Sequence, residues 1–218
     1  VKTFLGLVRF SVVKREIEEI YADSENYLVY SNAKGDAWVV NGSELLYFNT
    51  KLKKFVSLGN VIPDSEKCTQ ALVADSGEIW LLYADSPNVI CFKFPAFSTS
   101  TPGNVKLEKE SIKLHNVPVS CYFVQYDSFS FIDAENNLYL YDVAAKTKVY
   151  VRNVSDLMSR YGKIENITAF QEDVIIAFPL NGLMYLDFSK GYREEVIDRS
   201  VRIFSMTKDR YNDIIWVV

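Results

Sequence analysis

A strand motif that recurs about every 45 residues constrains the fold of this chain more than any other feature. Gly35 to Val40 and Gly77 to Leu82 share one order: glycine, acid, apolar, tryptophan and two aliphatic residues, 42 positions apart. The same strand appears again at Asp213 to Val218, and weaker copies stand at Ser128 to Ile132 and Asp173 to Phe178. A period of this length, made of short strands, indicates radial repetition of one supersecondary unit. The equivalent anchor positions, separated by 42, 51, 45 and 40 residues, are Trp38, Trp80, Phe131, Ile176 and Trp216.

A second motif, a turn followed by a strand that ends in Asp or Asn, comes about eight residues after the anchor. It occupies Asn41 to Asn49, Glu135 to Asp142 and Leu180 to Asp187. Its Asn-Gly pairs supply the positive φ that tight hairpins need. Leu5 to Ser11 fits the same motif without an anchor strand before it, so we expect the chain to begin inside a repeat.

Each unit therefore contains four strands: an approach strand, the anchor strand, the turn-led strand and a more polar outer strand. Such a unit buries its two faces only by stacking on its neighbours, which predicts an all-β fold, a β-propeller of four-stranded antiparallel blades. We expect blades near 27–57, 70–115, 118–151 and 165–196, and half-blades at 1–21 and 200–218. The whole of 1–218 is then one propeller segment, a partial ring or an excerpt of a larger one.

Helix is the exception in this chain. Ser155 to Tyr161 is the best helical stretch, with Ser155 or Asp156 as the N-cap and Gly162 as the C-terminal stop. Val13 to Tyr21 has apolar residues at helical spacing, but it occupies the place of an outer strand in the repeat. We therefore predict a strand there.

Composition excludes several classes of function. The 218 residues carry a net charge of −4 with scattered Lys and Arg, which argues against nucleic acid as a partner. No apolar run is long enough to cross a bilayer, so we expect no membrane contact by this segment itself. Three separated cysteines and one histidine form neither CxxC nor HExxH, so we predict no metal and no cofactor. The residues are Cys68, Cys91, Cys121 and His115.

Most residues of a type that could catalyse a reaction or bind a ligand have a simpler structural interpretation. The three tryptophans fall at fixed places in the repeat, which favours packing between sheets over sugar stacking. The acidic residues of the outer strands are typical of a solvated, charge-protected edge, although glycosidases also need paired carboxylates. His115 lies in a polar stretch without a neighbouring Ser-acid pattern, and the cysteines resemble small buried apolar residues. The acidic residues are Glu16, Glu18, Glu19, Glu194 and Glu195.

A ligand site would use residues outside the repeat pattern, in loops at one mouth of the ring. Two loops are long enough: Pro95 to Val105, and the helical insert Val154 to Ile164 with Arg160 and Tyr161. Arg160 and Tyr161 are therefore the candidate ligand-binding residues. We predict no catalytic residue.

Three segments resemble the two-component regulator propeller repeats of bacterial hybrid sensor kinases: Asp75 to Trp80, Asn181 to Asp187, and Asn212 to Val217. The third full unit lacks the tryptophan and the glycine, and the family's Gly-Thr after the anchor strand is absent. The resemblance implies a periplasmic sensory region of an inner-membrane receptor of Bacteroidetes type, homodimeric through its parent. Polysaccharide breakdown products would be its ligands. Kinase activity would belong to a separate cytoplasmic domain, and this segment would not be an enzyme.

Two other functions remain open at this point. One is a carbohydrate-active propeller enzyme, either a glycosidase or a lyase, and the other is a propeller that serves only as a scaffold. The sequence does not identify the ligand, the number of blades, the loops that form the ligand-binding mouth of the ring, the dimer geometry or the redox state of the cysteines.

Overall fold

The fold is seen in a computed structural model that describes most of the chain. The described residues are 2–3, 6–11, 13–21, 28–32, 34–49, 54–93, 107–170, 172–200, 202–209, 212 and 214–218.

In the first half of the chain, the described residues form three antiparallel sheets, numbered in chain order. Sheet 1 contains β1 (Lys2–Thr3), β2 (Gly6–Ser11) and β3 (Glu16–Tyr21). Sheet 2 contains β4 (Leu28–Ser31), β5 (Ala37–Asn41), β6 (Glu44–Asn49) and β7 (Lys54–Asn60). Sheet 3 contains β8 (Cys68–Val73), β9 (Ile79–Tyr83), β10 (Asn88–Lys93) and β11 (Glu108–Lys113).

The described residues of the second half add three sheets and one α-helix. Sheet 4 contains β12 (Val119–Gln125), β13 (Ser128–Asp133), β14 (Asn137–Asp142) and β15 (Thr147–Asn153). Helix α1 (Ser155–Tyr161) follows it. Sheet 5 contains β16 (Asn166–Phe170), β17 (Asp173–Phe178), β18 (Gly182–Asp187) and β19 (Arg193–Asp198). Sheet 6 is the hairpin of β20 (Met206–Lys208) and β21 (Ile215–Val217). Two short 3₁₀ turns, Ser65–Lys67 and Phe188–Lys190, complete the elements.

Every sheet is a meander in which each strand pairs with the next strand in the chain. The first strands of sheets 2 to 6 lie side by side in succession, so the sheets stack around these inner strands. In sheet 3 burial is greatest at the second strand and least at the outer one: β9 is buried along its whole length, whereas β11 is almost entirely exposed. The chain therefore has the predicted all-β architecture of four-stranded blades.

Each core cluster lies between two consecutive sheets and not inside one. Trp38 of sheet 2 packs with residues of sheet 3, and Trp80 of sheet 3 packs with residues of sheet 4. The indole N–H of Trp38 also donates to the carbonyl oxygen of Gly77 at 3.1 Å, across the same boundary. Trp38 and Trp80 thus pack between neighbouring sheets, as their fixed place in the repeat predicts.

The burial expected of Trp216 is wrong. It lies on β21, the second strand of its sheet, as Trp38 and Trp80 do, but 57% of it is exposed whereas those two are 0% exposed. The physical reason is the direction in which the side chains point, because Trp38 and Trp80 each face the following sheet in the chain, whereas Phe131 and Ile176 face the preceding one. Within the described residues no sheet stands against that face of sheet 6.

The structure confirms the strand predicted within Val13 to Tyr21 and the helix predicted at Ser155 to Tyr161, with one correction at the N-cap. Residues Glu16–Tyr21 form strand β3, and α1 spans Ser155–Tyr161 with Gly162 at its C-terminus at φ 88°. The N-cap prediction is wrong, because the N-cap residue is Val154. The side chain of Asn153 accepts the Ser155 N–H at 3.0 Å, so an amide one position earlier supplies the acceptor.

Amide side chains connect the inner strands of neighbouring sheets. At four successive boundaries, from sheets 2 and 3 to sheets 5 and 6, an Asn or Gln donates to a backbone carbonyl oxygen of the next sheet. The contacts are Asn32 to Ala74 at 2.7 Å, and Gln70 to Tyr122, Gln125 to Ala169 and Asn166 to Met206 at 3.1 Å each. Each bond gives a buried or half-buried carbonyl a partner and fixes how far one sheet slides on the next.

Candidate functional site

The candidate site is an open cleft of about 560 Å³ at one end of sheet 4. It lies at the end where β12 turns into β13 and β14 turns into β15. We call it the sheet 4 cleft. Sheet 4 supplies most of the wall, sheet 5 contributes Ala169 and sheet 6 contributes Lys208. The sheet 4 residues are Gln125, Tyr126, Asp127, Ser128, Phe129, Ser130, Leu140, Tyr141, Asp142, Thr147 and Val149.

The floor of the cleft consists of two parallel rows of side chains, set by strand register. One row is polar, because Ser128 pairs with Asp142 and Asp142 pairs with Thr147. The other row, two residues along each strand, is Ser130, Leu140 and Val149. Since residues two apart on a strand share a face, both rows point into the same cleft.

The rim is the turn between β12 and β13, which consists of only Tyr126 and Asp127. Tyr126 has a φ of 43°, in the left-handed region that an aromatic residue rarely enters. The turn is held in place by its neighbours, because Asp127 Oδ1 accepts the Asp75 N–H at 2.6 Å. A strained turn that is anchored on both sides is a rigid wall for a ligand.

Charge in the cleft comes from Asp127, Asp142 and Lys208. Asp142 Oδ1 accepts the Ala145 N–H at 2.7 Å, which fixes that carboxylate at the β14–β15 turn. The Lys208 ammonium lies over the ring of Phe170, 5.2 Å from its centroid. Hydroxyls, carboxylates and one ammonium beside a small apolar row are the groups that recognise a hydroxylated ligand of mixed polarity.

The sequence candidates Arg160 and Tyr161 lie at the opposite end of the sheets. Arg160 makes a bidentate ion pair with Glu194, at 2.5 and 2.7 Å, and also contacts Asp156 at 2.9 Å. The hydrogen bond from Arg160 lowers the pKa of Glu194 below its ordinary value. Tyr161 has the guanidinium of Arg160 5.1 Å from its ring centroid and that of Arg199 5.6 Å away. A ligand role for Arg160 and Tyr161 stays a prediction, and the structure does not bring them to the sheet 4 cleft.

His115 belongs to a polar network between sheets 3 and 4. The Lys148 ammonium contacts Nδ1 at 2.8 Å and the Leu114 carbonyl oxygen at 2.7 Å. An ammonium only donates, so Nδ1 accepts and Nε2 carries the proton. Nε2 faces the fully buried Asp133 carboxylate and the Tyr139 hydroxyl, each at 3.3 Å. Both ring nitrogens thus have protein partners, and the arrangement supports a structural role that ties this connection to sheet 4.

The other candidates add no further site. Burial raises the pKa of Cys68 to about 11, that of Cys91 to about 12 and that of Cys121 as well, as expected of packed thiols. The loop Pro95 to Val105 lies outside the described residues, as do the side chains of Glu18 and Glu19. The described residues include no group of three or more His, Cys, Asp and Glu placed to hold a metal ion.

No helix within the described residues has the length and apolar character needed to cross a membrane.

Sequence reasoning did not find the sheet 4 cleft. The available signal was in the third full unit, where Ser128 and Ser130 alternate with Phe129 and Phe131 along the anchor strand.

Comparisons with known proteins show the fold alone. No protein-family model matches the sequence, and no curated protein matches it. Among solved structures, a streptogramin B lyase is similar over 100% of this chain and 74% of its own, with a TM-score of 0.58 and 11% identity. Virginiamycin B lyase from Staphylococcus aureus is similar over 96% of this chain and 69% of its own, with a TM-score of 0.56 and 9% identity. PorZ of Porphyromonas gingivalis, a bacterial surface component of the type-IX secretion system, is similar over 94% of this chain and 26% of its own. Its TM-score is 0.56 at 16% identity. The chain therefore has a β-propeller fold.

Proposed function

We propose that this chain is a non-catalytic, ligand-binding propeller segment of a sensory receptor, and that its ligand is an oligosaccharide held in the sheet 4 cleft. The single observation that carries the proposal is the cleft itself. It has the volume of a small-molecule site and presents hydroxyl and carboxylate groups beside apolar Leu140 and Val149. Sugars need this combination, because their hydroxyls hydrogen-bond while their C–H faces pack on apolar side chains.

The finer parts of the proposal come from the resemblance to two-component regulator propeller repeats. They are a periplasmic location, a homodimeric hybrid histidine kinase as the parent, and polysaccharide breakdown products as the signal. The paired state of His115 supports the absence of catalysis, since neither ring nitrogen is directed at open space.

A panel of defined oligosaccharides tests the proposal by calorimetry, thermal shift and product analysis. A ligand that binds raises the melting temperature without being consumed. Thr147→Ala removes one hydroxyl from the polar row and should weaken binding by about three- to tenfold, the effect of one hydrogen bond. Thr207→Ala is the matched control, because Thr207 is also an exposed strand threonine but does not line the cleft. Binding that is equally weakened in both variants, or no binding by any glycan, contradicts the proposal.

A carbohydrate-active enzyme is the second candidate, and one observation favours it. The cleft contains two aspartates, Asp127 and Asp142, and glycoside hydrolysis uses a pair of carboxylates. Released product in the same incubations would establish this function. Asp142→Asn should then abolish turnover while leaving ligand binding measurable.

A further inference from the structure

The turn between β12 and β13 holds three other sheets as well as forming the rim of the cleft. Gln125 exchanges two hydrogen bonds with the backbone of Ala169 on sheet 5, at 3.1 and 3.0 Å. The next residue, Tyr126, donates its hydroxyl to the carbonyl oxygen of Lys208 on sheet 6. Asp127 accepts the Asp75 N–H of sheet 3. Three consecutive residues therefore connect sheet 4 to sheets 3, 5 and 6.

A ligand in the cleft touches the same contacts, because Gln125, Tyr126, Ala169 and Lys208 all line it. A ligand that contacts several sheets at once binds most tightly when the spacing between those sheets fits the ligand. By linkage, such an occupant shifts the population toward that arrangement.

Sheet 6 is the wall of the cleft with the smallest described core. Its ladder is short among the described residues, with three residue pairs between β20 and β21. Its described core contacts are few, with Ile203 and Met206 packed against Ala177. Small cores with few ladder bonds open at lower free energy than large ones.

We propose that ligand occupancy of the sheet 4 cleft is transmitted to sheet 6 through the Tyr126–Lys208 contact. This inference rests on the proposed function, because it takes the cleft as the ligand site and adds the route by which binding is reported. Sheet 6 is then the output element, and Tyr126 is a positioning residue that couples it to the ligand.

The test fills the cleft covalently, so that it does not depend on knowing the natural ligand. Thr147→Cys places a thiol on the exposed polar row, where a methanethiosulfonate carrying glucose forms a mixed disulfide. The native thiols react slowly at pH 7.5, because burial raises the pKa of each one. Mass spectrometry verifies a single addition. Lys109→Cys on the exposed outer strand β11, labelled in the same way, is the control.

Amide hydrogen exchange of β20 and β21 gives the readout. Labelling at position 147 should slow exchange there by about fivefold, the change in an opening equilibrium that one ordinary hydrogen bond produces. Adding Tyr126→Phe, which removes only the hydroxyl, should abolish that change, and labelling at position 109 should leave exchange unaltered. Unchanged exchange after labelling at 147, or an equal change in the Tyr126→Phe background, overturns the inference. If no glycan of the panel binds but the glucose label at position 147 slows exchange as expected, only the proposed ligand class is refuted.

Discussion

Truncating the anchor tryptophans tests whether they hold consecutive sheets together. Trp38 is fully buried between sheets 2 and 3, and its indole N–H bonds to Gly77 of the neighbouring sheet. Burial of about 200 Å² of aromatic surface at about 25 cal/mol per Å² stabilises by about 5 kcal/mol. Measured truncations of buried aromatic side chains cost about 3–5 kcal/mol, because the surrounding residues relax into part of the cavity. We therefore expect Trp38→Ala to lower the free energy of unfolding by about 4 kcal/mol.

Trp216→Ala is the matched control, since it makes the same substitution at the equivalent strand position. More than half of Trp216 is exposed, so its removal should cost less than about 1 kcal/mol. Urea unfolding followed by far-ultraviolet circular dichroism measures both values without relying on tryptophan emission. In a chain of this size the Trp38 variant should melt about 8–16 °C lower, and the Trp216 variant within about 4 °C of the parent protein. Equal losses in the two variants would refute the assignment of Trp38 as an inter-sheet residue.

Three further outcomes follow from the structure. The native thiols should react with Ellman's reagent at pH 8 far more slowly than a free cysteine, because the pKa of Cys68 is about 11, and fast reaction of one thiol would contradict that burial. The pKa of Glu194 is lowered in the folded protein, so its contribution to stability is present above pH 4.5 and is lost as pH falls through the lowered value. Glu194→Gln should therefore make the melting temperature depend less on pH between pH 3 and 6. Gln70→Leu should lower the unfolding free energy by about 1–2 kcal/mol, because it leaves the Tyr122 carbonyl without that donor, and an unchanged urea midpoint would show that the bond is dispensable.

The repeat predicted most of the architecture, because strand period and turn chemistry are local properties. The predicted blades at 70–115 and 165–196 compare with sheets that span 68–113 and 166–198. Gly182 shows how strict a turn position can be: its φ is 78°, and a Cβ there would stand 1.6 Å from the Asp198 carbonyl oxygen. Such a position admits only glycine, so the Asn-Gly pair was a dependable signal.

What the sequence did not predict depends on neighbours distant along the chain. Asn32, Gln70, Gln125 and Asn166 are unremarkable amides in the sequence, and their shared role appears only when consecutive sheets are stacked. The exposure of Trp216 has the same origin, because a residue's burial depends on the sheet that faces it and not on its own strand.

The site lies where the repeat is broken, and packing explains why. At the anchor strands of sheets 2 and 3, the large side chains of Trp38 and Trp80 fill the space up to the next sheet. The anchor strand of sheet 4 keeps Phe129 and Phe131 on the face toward sheet 3 but has Ser128 and Ser130 on the face toward sheet 5. Small side chains on one face leave a gap that the stacked neighbours do not close, because the amide contacts at the inner strands fix their spacing. Ser130→Leu should therefore reduce the cleft without unfolding the sheet, and it should remove glycan binding while the far-ultraviolet spectrum stays unchanged. Retained binding in that variant would place the ligand elsewhere on the propeller.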